Sequence, residues 1–127
     1  MKYILDTCSF IWYIETSDRL PESVRDLIDT TKYVSVSQAT FWEIAIKQSI
    51  GKLDLDMSMF ELEEKCKENH ITILPLELAY FEKLKTMPLI HRDPFDRIIM
   101  ATAIEEDLIL LTNDSEIIKY QDVKTLW

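Results

Sequence analysis

Four acids, Asp6, Glu43, Asp96 and Asp114, are spaced so that an alternating strand and helix chain can bring all of them to one edge of a sheet. Asp6 follows the apolar run Tyr3-Ile4-Leu5 and Asp114 follows Leu108 to Leu111, while Glu43 and Asp96 fall early in helical patterns. Open α/β sheets bind ligands outside the carboxyl ends of their strands, where such acids would meet. Gathered carboxylates repel and raise one another's pKa unless positive charge sits among them. A hard divalent cation is the natural counter-charge, and oxygen donors suit magnesium or manganese. An ion so held lowers the pKa of a bound water and stabilises charge on a phosphate, which is the chemistry of phosphodiester hydrolysis.

Each acid also has an ordinary explanation when taken singly. Glu43 precedes Lys47 by one helical turn, the favourable orientation for an exposed ion pair. Asp96 is the third helical residue if Asp93 is the cap, where the helix dipole favours any carboxylate. Asp114, in Thr112-Asn113-Asp114-Ser115, reads as a turn or cap residue. Asp6 is harder to dismiss, because an acid between Leu5 and Phe10-Ile11-Trp12 is expected to be at least partly buried.

The elements that must position these acids are legible as short β-rich segments between amphipathic stretches. Strands are expected at Tyr3 to Leu5, Tyr33 to Val36, Ile71 to Leu74, Leu108 to Leu111 and Val123 to Leu126. Helices are expected at Ser9 to Glu15, Pro21 to Asp29, Gln38 to Ile50, Met59 to Asn69, Leu76 to Lys85, Pro94 to Glu106 and briefly after Asp114. This alternation predicts an α/β fold with a mostly parallel sheet of about five strands, covered on both faces. Ser58 with Glu61 forms a capping box, and Asp93-Pro94 places an acceptor at an N-cap with proline at the first helical position.

Composition narrows the function classes. The 127 residues suffice for one domain, 1–127, with a core that needs neither disulfides nor a structural metal. Hydrophobic residues make up 47% and charged residues 29%, the balance of a globular chain. Gly51 is the only glycine, so dinucleotide-binding and P-loop glycine motifs are excluded. Cys8, Cys66, His70 and His91 match no zinc spacing, and Cys66 reads as a buried small hydrophobe in register with Met59 and Leu62. No signal peptide or membrane span is expected, and the protein is read as cytoplasmic. A net charge of −9 argues against indiscriminate nucleic-acid binding and favours a basic partner or a metal-dependent site.

The chain resembles the PIN-domain ribonucleases and, among them, VapC-like toxins of toxin–antitoxin pairs. The resemblance runs nearly end to end. Leu5-Asp6-Thr7 opens it, Ser35 to Glu43 continues into Ile44-Ala45-Ile46-Lys47, and Leu111-Thr112-Asn113-Asp114 closes it. The most specific segment is His91-Arg92-Asp93-Pro94-Phe95-Asp96-Arg97, followed by Ile98 to Ala103. Cys8, where similar sequences often carry histidine, and Ala79-Tyr80 depart from the usual pattern without removing a carboxylate.

The resemblance implies a PIN-like three-layer α/β/α sandwich whose acidic pocket binds Mg2+ or Mn2+ and cleaves RNA. It places Asp6, Glu43, Asp96 and Asp114 in the four acidic catalytic positions, with Asp6 and Asp96 as the leading metal ligands, Asp114 as a direct or water-mediated ligand, and Glu43 completing the metal set by orienting the attacking water or holding the metal's water shell. Thr7, Ser37 and Thr112 are then hydrogen-bonding supports of these acids, with local capping an equal reading. Asp93 is read as a cap. Arg92 and Arg97 can pair with phosphate or Asp93, and Lys47 and Lys52 can guide RNA. Homodimerisation and inhibition by a small antitoxin with a basic tail are also implied, with Phe41, Trp42, Trp12 and Tyr13 as candidate anchors. Two readings compete: a catalytically silent PIN-like binding module, and an acidic-site phosphotransfer or phosphatase-type protein. The second lacks the further acid such proteins carry near the first strand, where this chain has Cys8.

Overall fold

Tyr3-Ile4-Leu5 forms β1 and alternates between two cores, with Tyr3 and Leu5 on one face of the sheet and Ile4 on the other. The computed structural model describes residues 1–127 and orders the chain as β1 (Tyr3–Leu5), α1 (Thr7–Ile14), α2 (Glu22–Thr30), β2 (Val34–Ser37), α3 (Gln38–Ser49) and α4 (Met59–Glu68). It continues through β3 (Ile71–Leu74), α5 (Leu78–Thr86), α6 (Pro94–Glu105), β4 (Ile109–Leu111), α7 (Ser115–Ile118) and β5 (Thr125–Leu126). The five strands run in the order β3-β2-β1-β4-β5, and every pairing is parallel. A parallel sheet must be covered on both faces, which explains the fully buried β1 and β2.

The two faces carry separate cores. Phe10, Val24, Ile28, Ile44, Leu62 and Cys66 pack on one side, supplied by α1 to α4. Tyr80, Ile98, Ile99, Ala103, Ile117 and Tyr120 fill the other, supplied by α5 to α7 and the turn after them. This is the expected α/β/α sandwich.

Differences from the expected boundaries have local causes. Helix α1 starts at Thr7 rather than Ser9 because Asp6 itself is the N-cap, accepting the Ser9 N–H at 2.8 Å. The fifth strand shrinks to Thr125–Leu126, since Val123 N–H turns back to the Tyr120 carbonyl. Helix α5 begins at Leu78, two residues late, because the backbone is still extended at its N-cap Glu77 (φ −114°, ψ 151°). Gly51 follows the α3 C-cap with φ +69°, the left-handed conformation that glycine adopts without steric cost. The expected Ser58–Glu61 capping box and Asp93 cap both form.

Strand order decides where a site can lie. After β1 the chain moves outward to β2 and β3, then returns to place β4 on the opposite side of β1. The β1/β4 boundary is therefore the topological switch point, and the crevice beyond its carboxyl edge is where such sheets take ligands.

Candidate functional site

Asp6 and Asp114 stand at that crevice. Leu5 is in register with Leu111, so Asp6 and Thr112 leave the sheet side by side, with the Asp6 N–H on the Leu111 carbonyl at 3.4 Å. Asp114 is the N-cap of α7 and accepts the N–H groups of Glu116 and Ile117 at 2.8 and 3.3 Å. Asp96 lies in the first turn of α6, whose cap Asp93 accepts the N–H of Phe95 and of Asp96. Asp6, Asp96 and Asp114 thus all sit at helix N-termini, where unpaired N–H groups favour negative charge.

Glu43 reaches the same place from α3. Its residue is only 5% exposed, one oxygen receives the Lys47 ammonium at 2.7 Å, and the other, Oε1, has no partner. The predicted Glu43–Lys47 pair exists, but as a buried carboxylate met by a half-exposed lysine rather than as a surface pair. A buried acceptor without a protein donor is uncommon, and this oxygen is free to meet a cation or a water.

The electrostatics confirm that the four acids share one field. Burial pushes the Asp96 carboxyl up to about 7, aided by the charges of Asp93, Asp6 and Glu43 and opposed by His91. Burial also raises Asp6, against hydrogen bonds from Ser9 and Thr112, and Asp114 adds to the rise. Asp114 responds in the opposite sense. Burial works upward there too, but the Glu116 N–H, His91 and the Ile117 N–H hold it below the usual carboxylate range. Cys8 is solvent accessible, yet partial enclosure of its sulfur and the charges of Asp6, Asp96 and Glu43 push the thiol up to about 11.

The supporting residues divide. Thr7 is buried with its hydroxyl 3.0 Å from that of Thr40, tying α1 to α3. Ser37 caps α3 through the Ala39 N–H. Thr112 accepts the Asp114 N–H at 3.0 Å and so orients that cap. Arg92 is exposed.

Arg97 is a correction. Its buried guanidinium is turned from the acids into the α5–α6 connection, where it donates to the carbonyls of Pro88 and Leu84 and to the Tyr120 hydroxyl at 3.0 to 3.2 Å. Its two terminal nitrogens are directed to neutral acceptors inside the fold rather than to Asp93 or the acidic crevice. Among the aromatic anchors, Trp42 is exposed and stacks edge-on against Phe95, whereas Tyr13 is buried and hydrogen-bonded to Asp29.

One participant escaped the sequence argument. His91 Nε2 lies 3.1 Å from Asp96 Oδ2 and 3.3 Å from Asp114 Oδ2, and one ligand atom from each of these three side chains lies within 4.8 Å of the other two. Its position five residues before Asp96 in the HRDPFDR segment was the available signal. Asp6 and Glu43 lie outside that group of three; the donors are mostly hard carboxylate oxygens, one of them buried and unpartnered, which is the donor chemistry that hard divalent cations prefer.

Comparison with known proteins agrees with this geometry. The PIN domain family model matches residues 3–123. No curated protein matches the sequence. Among solved structures, VapBC2 from Rickettsia felis bound to a promoter DNA fragment superposes with a TM-score of 0.71 at 15% identity, covering 100% of this chain and 99% of that one. A toxin–antitoxin complex from Klebsiella pneumoniae gives 0.65 at 18%, covering 96% and 95%. FitAcB from Neisseria gonorrhoeae gives 0.66 at 20%, covering 98% and 96%. At these identities the likeness concerns the fold.

Proposed function

Because this chain belongs to the PIN-domain family, we propose that it is a metal-dependent endoribonuclease acting at the cluster of Asp6, Glu43, Asp96 and Asp114. The observation that carries this reading is the buried, half-unpartnered Glu43 carboxylate in a field shared with three further acids. Asp6, Asp96 and Asp114 would hold Mg2+ or Mn2+. Such an ion, when bound, supplies a water nucleophile near neutral pH and neutralises charge on the scissile phosphate.

The chain's own residues prepare the site. Backbone N–H groups fix Asp6 and Asp114 as caps, so these carboxylates face the crevice without a large ordering cost. Lys47 holds Glu43 Oε2 and leaves Oε1 to accept a hydrogen bond from the attacking water. Asp6 and Asp96, whose carboxyls burial raises, are both stabilised in their charged form by a cation beside them. Lys47 and exposed Arg92 supply positive charge for the RNA backbone.

The same reading extends to partners. The structural neighbours include a toxin–antitoxin complex, which supports the role of a toxin held by a small antitoxin, and the net charge of −9 suits a basic tail laid across the acidic crevice. A homodimer working in the cytoplasm completes the proposal. No helix is long and apolar enough to cross a membrane.

The test is cleavage of total cellular RNA by purified protein with Mn2+ or Mg2+, with chelator and Asp96→Asn as controls and sequencing of the new ends. Discrete metal-dependent cuts absent from the variant support the assignment. Intact RNA with folded, metal-bound protein refutes it. Co-expression with a neighbouring small reading frame, followed by light scattering of the purified complex, tests the partner and the dimer together.

A further inference from the structure

The His91 ring is held by a chain of contacts that begins far from the acids. Tyr120, 4% exposed, receives the N–H groups of Ile90 and His91 on its hydroxyl at 3.0 and 2.8 Å and donates to the Pro88 carbonyl at 2.7 Å. The Arg97 guanidinium joins that hydroxyl at 3.2 Å and spans the carbonyls of Leu84 and Pro88. Residues 88 to 91 have no regular secondary structure, so these two buried side chains set the backbone from which His91 projects.

The ring's chemistry follows from its other contact. The Asp93 N–H donates to His91 Nδ1 at 3.1 Å. An N–H can donate only to an unprotonated nitrogen, so Nδ1 is bare and Nε2 carries the proton of the neutral ring. That Nε2–H is directed to Asp114 Oδ2 at 3.3 Å, while Asp96 Oδ2 lies 3.1 Å from the same nitrogen as a charge contact without hydrogen-bond alignment. In this tautomer Nε2 is a donor to a carboxylate and has no lone pair to offer a metal.

We propose that Tyr120 and Arg97 are positioning residues that act through His91, locking it as an Nε2–H donor to Asp114 with Asp96 held against the same ring edge, so that the ring sets the spacing of those carboxylates. The proposal rests on the reading of these acids as the metal site. It makes His91 a support of the ligands rather than one of them, a role in which substitution costs about 10- to 100-fold in metal affinity.

Two readouts on the full chain test it. Long-range 1H–15N NMR of the imidazoles in chelator reports the tautomer, and calorimetric titration with Mn2+ reports affinity. Wild-type His91 is expected to show a bare Nδ1 and a protonated Nε2. Tyr120→Phe, which keeps the ring but loses the hydroxyl, is expected to average the His91 nitrogens and bind Mn2+ about tenfold or more weakly while still melting cooperatively. His91→Gln, which retains a side-chain N–H donor, is expected to bind Mn2+ more tightly than His91→Ala. A wild-type His91 protonated on Nδ1 overturns the proposal even if the variant does not fold. Tyr120→Phe with wild-type affinity and an unchanged His91 spectrum also overturns it. Wild-type protein that binds no Mn2+ overturns the metal-site reading instead, and the tautomer then decides separately whether His91 is held as described.

Discussion

Replacing Arg97 by methionine keeps the aliphatic stem and removes the guanidinium, which separates a structural arginine from one that binds phosphate. Three of its hydrogen bonds are 3.2 Å or shorter, to Pro88, Leu84 and Tyr120. Hydrogen bonds to a charged group contribute about 1.5–3 kcal/mol each, so the simple sum for three is centred near ~7 kcal/mol and bounded at about 9 kcal/mol. The acceptors are not left orphaned, however. Pro88 O keeps the Tyr120 hydroxyl and Leu84 O keeps the Met87 N–H. Removing a buried charge also relieves its desolvation, so the expected loss is about 3 kcal/mol. At a urea slope of about 1.5 kcal/mol/M, the midpoint falls by about 2 M. The assay is equilibrium urea unfolding followed by tryptophan fluorescence. A loss below about 1 kcal/mol, together with a large fall in RNA cleavage, would refute the burial argument and restore Arg97 as a substrate contact.

Asp6 and Asp96 have raised pKa values in the folded protein, so the native state binds more protons than the unfolded chain and metal-free stability rises as pH falls from about 8 toward 4. Thermal melts in chelator should show this slope, and Mn2+ should raise the melting temperature more at pH 8 than at pH 5.5; a larger rise at pH 5.5 contradicts the assignment. Asp96→Asn removes one of the mutually repelling charges and is expected to raise the melting temperature in chelator while abolishing the Mn2+-induced rise. A variant less stable than wild type in chelator would show that Asp96 is held for packing or hydrogen bonding. Lys47→Met leaves the buried Glu43 carboxylate without its cation, and because Lys47 is itself half-exposed the expected cost is on the order of 1 kcal/mol, recovered by Mn2+. Equal losses with and without the metal would place Glu43 outside the metal's reach.

Particular residues show how far sequence reasoning reached. The alternation of short apolar strands with amphipathic helices predicted five strands near their observed positions, because burial on both faces demands such runs. Asp93 was readable as a cap from Pro94 alone, and Ser58 from Glu61 three residues later, since these contacts close within one helical turn. Asp6 as the cap of α1 was missed, and with it the early start of that helix, because several hydroxyl residues nearby offered equally good caps. Arg97 was misread for a different reason. A charged residue beside an acidic motif suggests surface chemistry, and only the packed α5–α6 connection shows where its donors go.

By itself the sequence determined the alternating elements, the two buried faces, the local caps and the four acids, all of which rest on period, propensity and contacts between near neighbours along the chain. Tertiary structure alone decided the strand order that makes β1/β4 the crevice, the burial that leaves Glu43 Oε1 unpartnered, and the contacts that place His91 between Asp96 and Asp114. The physical reason is distance along the chain. Tyr120 reaches His91 and Arg97 across 29 and 23 positions, and no local pattern encodes a hydrogen bond that exists only after α5, α6 and the turn beyond α7 have packed together on one face of the sheet.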